Sequence, residues 1–170
     1  PVAEGIEVFT NSEKVRKARK TTLELILSNH ERKCLTCIRN RNCELQTLAE
    51  ELGVDDIPFE GETIKHELDT SSPSIVRDNN KCVLCRRCIA ACDNQEISVI
   101  SCINRGFSTE VGTAFEKDMA DVGCIYCGQC IVACPVGALY ERNDIPKVME
   151  AIDNPEKHVV VQTAPAVRAA

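Results

Sequence analysis

Three groups of residues in this chain carry the side chains and the spacing that metal chemistry requires. Cys82, Cys85, Cys88 and Cys92 form C-x2-C-x2-C-x3-C, and Cys124, Cys127, Cys130 and Cys134 repeat it with Pro135 directly after. A third set, His30, Cys34, Cys37 and Cys43, is spaced H-x3-C-x2-C-x5-C. Thiolate and neutral imidazole are the donors that hold zinc and iron–sulfur clusters. A cubane presents its iron corners close together, so three thiolates must come from one tight loop, and two intervening residues per step allow that. The fourth cysteine, three residues on, has entered a short helix leading away from its own loop and ligates the other cluster. Cys82, Cys85, Cys88 and Cys134 are therefore assigned to one [4Fe–4S] cluster, and Cys124, Cys127, Cys130 and Cys92 to another.

The two motifs are also an internal repeat. C-V-L-C-R-R-C-I-A-A-C and C-I-Y-C-G-Q-C-I-V-A-C align at an offset of 42 residues (124 − 82) and share Ile and Ala besides the cysteines. Duplication of this kind predicts a pseudo-twofold module of the two-cluster bacterial-ferredoxin type. Zinc sites use two CxxC pairs across a spacer and have no use for eight thiolates in two quartets. The third set is more open. One histidine and three cysteines suit tetrahedral zinc as well as a [4Fe–4S] cluster, and His30 could also stand aside from another three-cysteine site. A chain that already holds two cubanes favours a third, and the arithmetic agrees: three cubanes need twelve ligands, which eleven of the twelve cysteines plus His30 supply. Cys102, left over in the apolar segment 97–103, reads as a small buried hydrophobe. His66 and His158 are read as ordinary surface or core residues.

Composition narrows the rest. With four Phe, two Tyr and no Trp in 170 residues, the aromatic core is small, and metal–thiolate bonds must supply stability that burial supplies elsewhere. The formal charge is −6, and oxidised clusters would take it to about −11, which argues against nucleic acid as a partner. No apolar run reaches membrane-spanning length and no signal peptide is visible, so a reducing cytoplasm is expected, with no membrane partner.

The elements that must position these ligands can be read in turn. Thr10 and Glu13 suggest a capping box, opening a helix from Ser12 to Asn29 with Val15, Ala18, Thr22, Leu25 and Ile26 as its apolar stripe. Its basic residues, Lys14, Arg16, Lys17, Arg19 and Lys20, form either a solvated face or a dock for an acidic partner. Leu45, Leu48, Ala49 and Leu52 mark a short helix stopped by Gly53. Strands are expected at residues 5–9, from Ile75, and at Val159 to Val161, with a hairpin across 97–111 and a last helix near Ile145 to Ile152. Arg86 and Arg87 flank the first cluster loop, where they tune the cluster, dock a donor or are simply solvated. The fold class is α+β: a small helical domain with one-histidine, three-cysteine ligation over residues 10–53, a polar, acidic linker over 54–73, and the two-cluster domain over 74–143.

The stretch T-N-S-E-K-V-R-K-A-R-K-T-T-L-E-L-I-L-S-N-H (Thr10 to His30), the His30 ligand set and the paired cysteine motifs together resemble the accessory electron-transfer region of modular [FeFe]-hydrogenases, in particular the large subunit of multisubunit NAD(P)-linked ones. That resemblance covers essentially the whole chain. It implies a relay of single electrons through three [4Fe–4S] clusters to or from an H-cluster, and it implies neighbours: a preceding [2Fe–2S] domain whose tail is residues 1–9, a following catalytic domain that starts in 144–170, and a flavin-containing NAD(P)H-oxidising subunit or a ferredoxin. The chain has no cysteine motif for the H-cluster and none for [2Fe–2S], so it is expected to be a piece of a larger enzyme and not catalytic alone. The large iron–sulfur subunit of complex I resembles the His30 region equally well but the paired motifs less well. The iron–sulfur portion of a NAD-linked formate dehydrogenase and a stand-alone polyferredoxin-like carrier are the other readings.

Overall fold

In the computed structural model, which describes residues 2–168, helix α1 spans Glu13–Ser28. Its N-cap is Ser12, whose Oγ accepts from the Val15 N–H at 3.4 Å. The cap therefore lies two residues beyond the expected Thr10, because Ser12 is the last extended residue before the helix. Leu23 is 5% exposed and Leu27 packs beside it, whereas Leu25 is 51% exposed. Two helical steps of 100° set Leu25 almost opposite Leu23, so Leu25 drops out of the expected stripe. Val15, Ala18, Thr22 and Ile26 instead line a shallow groove with Leu48 and Leu52. Those two leucines come from helix α2, Glu44–Glu51, and from its C-cap. Gly53 follows at φ 61, the left-handed conformation that ends a helix without a Cβ penalty.

Residues 54–73 run back across both halves of the chain and are held by polar side chains. Asn29 Oδ1 accepts from Ile64 N at 3.0 Å, and Asn80 exchanges hydrogen bonds with the His66 backbone at 3.0 and 2.8 Å. Asp69 forms an isolated antiparallel bridge to Arg77 and an ion pair with its guanidinium at 3.1 Å. Strand β1, Ile75–Arg77, then pairs antiparallel with strand β4, Leu139–Glu141, closing the two ends of the cysteine-rich half on one another. Between them lie helix α3 (Arg87–Asp93), the hairpin strands β2 (Ser101–Ile103) and β3 (Glu110–Gly112), and helix α4 (Gln129–Ala133), which packs on α3. Helices α5, Ile145–Asp153, and α6, Pro165–Arg168, complete the described chain.

The core joins Ile75, Ile100, Val111, Met119, Ile131, Val136 and Leu139 to Cys88, Cys92, Cys130 and Cys134. No aromatic ring contributes, so thiols occupy space that Phe or Trp would fill elsewhere. Three expectations fail. Residues 5–9 and 159–161 form no strand, since β structure is made by ladder partners and none of the described residues pairs with them. Cys102 sits on β2 opposite Val111 yet is exposed rather than buried. Among the described residues no helix is long and apolar enough to cross a membrane.

Candidate cluster sites

Each cysteine loop must turn three thiols towards one point within a few residues, and the backbone does this with left-handed residues. In the first loop these are Leu84 (φ 55) and Arg86 (φ 63), and in the second Tyr126 (φ 57) and Gly128 (φ 75), each 42 positions later. Only Gly128 adopts this conformation freely, and each non-glycine costs about 1–2 kcal/mol, strain of the kind that persists where a bound group over-determines the loop. Arg86 and Gly128 are then the N-caps of α3 and α4, and those helices carry the last two cysteines of each motif inward.

Two cavities result. One is lined by Cys82, Cys85, Cys88 and Cys134, with Val83, Val111, Val136 and Leu139 among its apolar walls. The other is lined by Cys92, Cys124, Cys127 and Cys130, with Ile75, Ile97, Val99 and Met119. Ile100 lines both. Thus the last cysteine of each motif faces the other motif's cavity. Burial pushes the Cys88 thiol up to about 12, helped by the neighbouring thiols of Cys82, Cys134 and Cys85. Burial is also the chief reason that Cys82 and Cys130 rise to about 11. Buried thiolates without a cation would be uncompensated charges, so these quartets suit a positively charged group. Cys82 Sγ already accepts from the Leu84 N–H at 3.4 Å, a contact that stabilises thiolate.

The third set lies at the end of α1. His30 follows the helix, Cys34 and Cys37 bracket a single 3₁₀ turn, and Cys43 is the N-cap of α2. His30 Nδ1 is buried with no hydrogen-bond partner, an atom that fits a metal ligand. Burial, and then the Lys81 cation, hold the His30 pKa below its ordinary value against the smaller pulls of Asp78 and Glu31, so the imidazole is neutral at pH 7, the form that binds metal.

Nothing in the spacing pattern foretold how tightly this set packs on the other two. A Cβ built on Gly137 would stand 2.7 Å from Cys37 Sγ, so the loop after Cys134 touches the third set directly. Pro135 O accepts from Glu44 N at 3.1 Å, Ile131 O accepts from Arg39 at 3.0 Å, and Arg87 grips Glu44 through both oxygens at 2.6 and 2.8 Å. Arg87 is therefore a fastener between the halves, while Arg86 lines the first cavity. Lys81 stands at the same junction, 2.7 Å from Asp78 and 4.0 Å from Glu31, with its ammonium 6.0 Å from the Tyr140 ring. His66, read from sequence as unremarkable, pairs with Glu110 at 2.9 Å and pins the crossing segment to the hairpin.

Residues 19–58 match the family described as the NADH-ubiquinone oxidoreductase-G iron–sulfur binding region, and residues 81–138 match the 4Fe–4S dicluster domain. The NADP-reducing hydrogenase subunit HndD of Solidesulfovibrio fructosivorans is 50% identical over all of this chain, which corresponds to 29% of that protein. Iron hydrogenase 1 of Clostridium pasteurianum is 38% identical over 99% of this chain and 30% of its own length. The chain thus spans under a third of the curated relatives it matches. Among solved structures, a crystal structure of NAD+-reducing [NiFe]-hydrogenase in the H2-reduced state aligns with 84% of this chain and 61% of that one at a TM-score of 0.77 and 26% identity.

Proposed function

The chain belongs to the 4Fe–4S-binding electron-transfer regions carried by NADP-reducing and iron hydrogenases, and from that premise we propose that it relays single electrons through three [4Fe–4S] clusters to and from a hydrogen-activating centre elsewhere in the enzyme. The ligands proposed are His30, Cys34, Cys37 and Cys43 for the first cluster, Cys82, Cys85, Cys88 and Cys134 for the second, and Cys124, Cys127, Cys130 and Cys92 for the third. The observation that carries this reading is contiguity: Cys37 packs on Gly137 three residues after Cys134, and Ile100 alone is common to the two cavities. The three ligand sets therefore form an unbroken row.

Clusters of this type supply one-electron redox chemistry at potentials set by ligand, charge and hydrogen bonding. The chain's residues hold them, keep water out with aliphatic walls, and bias them electrostatically; no proton transfer is required of any side chain. The pseudo-twofold reading of residues 74–143 draws support from the left-handed residues recurring at the 42-residue offset. Complex I, formate dehydrogenase and stand-alone carrier readings are less favoured, because hydrogenase relatives match essentially the full length of this chain. Proposed neighbours are a [2Fe–2S] domain, the H-cluster domain, and a flavin-containing NAD(P)H-oxidising subunit or ferredoxin, in a cytoplasmic complex.

The test is iron, acid-labile sulfide and zinc per chain after anaerobic preparation, with electron paramagnetic resonance of the reduced protein. About twelve irons and magnetically interacting [4Fe–4S] signals are expected; about eight irons with one zinc would make residues 30–43 a structural zinc site instead. His30→Cys is expected to keep a cubane while lowering its potential, since a neutral ligand becomes an anion, and an unmoved potential would remove His30 from the ligand set. Gly137→Ala is expected to push Cys37 aside at a cost of about 1–3 kcal/mol, loosening the first cluster while leaving the other two. Unchanged iron content and melting temperature would mean that Cys37 yields without consequence.

A further inference from the structure

Among the described residues two buried side-chain polar atoms lack a hydrogen-bond partner, and besides His30 Nδ1 the other is Arg77 Nη1. Arg77 is on β1 with its side chain only 13% exposed. Its Nη2 reaches Asp69 Oδ2 at 3.1 Å, which leaves Nη1 as a buried cationic donor with no acceptor, a situation that costs more than a neutral orphan. Two cavities touch Arg77. One is polar and also lined by Glu67, Asp69, Glu110, Glu116 and Asp118, surroundings that repel an anion. The other is the apolar cavity of Cys82, Cys85, Cys88 and Cys134, which on the reading above receives a group of net charge about −2 with sulfur acceptors.

The repeat sharpens this. Adding the offset of 42 to position 77 gives 119, and Met119, 1% exposed, lines the second cavity. The same place in each half thus offers a cation to one cluster and an uncharged thioether to the other. Asp69 ties the two positions together, its Oδ2 also accepting from the Met119 N–H at 3.2 Å. Strand alternation explains the placement: Ile75 and Arg77 share a face of β1, and Ile75 lines the second cavity while Arg77 lines the first.

We propose that Arg77 sets the potential of the cluster held by Cys82, Cys85, Cys88 and Cys134, its free Nη1–H stabilising the reduced form, so that this cluster is more readily reduced than its repeat partner beside Met119. The inference rests on the cluster assignment above. It is tested by potentiometric titration of the iron-loaded chain, followed by electron paramagnetic resonance, for wild type, Arg77→Met, Arg77→Lys and Asp69→Asn. Arg77→Met is expected to disfavour reduction of one cluster about tenfold, a fall of 59 mV for a one-electron couple, with the other couples and the iron content unchanged. Arg77→Lys retains charge and should keep most of the potential, and Asp69→Asn, which frees the guanidinium of its counter-ion, should raise it. Fully loaded Arg77→Met with unmoved potentials, or Arg77→Lys falling as far as Arg77→Met, overturns the proposal. If Arg77→Met does not load, an unmoved potential in fully loaded Asp69→Asn overturns it. Wild type that lacks the two cubanes refutes the cluster assignment itself.

Discussion

Cys134→Ala is expected to destroy the cluster of the first motif and spare that of its own. Its thiol lines the cavity of Cys82, Cys85 and Cys88, while Cys124, Cys127 and Cys130 face the other cavity with Cys92. Removing it leaves the second cluster with three protein ligands in an apolar cavity whose lining includes no carboxylate to substitute for the missing thiolate. Iron should fall by up to about four per chain. The surviving third cluster should keep its signal, and electron exchange between it and the first should collapse, because the lost cluster lies between them. Cys92→Ala gives the reciprocal pattern, with loss at the second motif. The discriminating measurement is iron per chain with spectra of the reduced variants. Loss of the cluster held by Cys124, Cys127 and Cys130 in Cys134→Ala would refute crossed ligation, and the cavities would then need another occupant.

Stripping the iron is expected to unfold the cysteine-rich half. Cys88, Cys92, Cys130 and Cys134 belong to the core, four left-handed residues shape the two loops, and no aromatic side chain joins that core. Chelation under anaerobic conditions should abolish amide-exchange protection across residues 82–134, as in other domains whose folding is metal binding. Retained protection would show that the aliphatic core suffices alone. Any residual iron-free fold carries a definite pH dependence. Cys82, Cys88 and Cys130 have folded-state pKa values of about 11, 12 and 11 against an ordinary 9.0. A raised value means the fold prefers the protonated thiol, so that contribution is complete below pH 9 and is lost as pH climbs through 11 to 12, on the order of several kcal/mol in total. The loaded protein, whose sulfurs are already thiolates on iron, should not share this alkaline transition, and iron uptake near neutral pH should release protons from these thiols.

The stripped and substituted forms also probe the junction between the halves. Arg87 and Glu44 are exposed, and their fork is a weak fastener in water; the close packing of Gly137 on Cys37 and the backbone bond from Glu44 to Pro135 are the firmer links. A row of clusters requires that junction to be rigid, and the segment 54–73 reinforces it through Asn29, Asn80 and Asp69.

The presence of 4Fe–4S domains, helices α1 and α2, the 97–111 hairpin and the family were all legible in the sequence, because each depends on residues close together in the chain: thiol spacing, 3.6-residue periodicity, a glycine stop. Details one step more distant slipped. Ser12 replaced Thr10 as the cap because the chain stays extended to it, Leu23 replaced Leu25 on the buried face because α2 packs there, and Cys102 is exposed rather than buried. Residues 5–9 and 159–161 carry strand-like composition yet form none, since a strand is defined by a partner that composition cannot name. What only the tertiary structure decided is which thiols share a cavity, that Cys37 rests on Gly137, and that Arg77 lines one of the two cavities and Met119 the other. These are meetings between residues 32 to 100 positions apart. The physical reason is that local spacing sets which groups can act, while long-range packing alone sets the electrostatic surroundings in which they do.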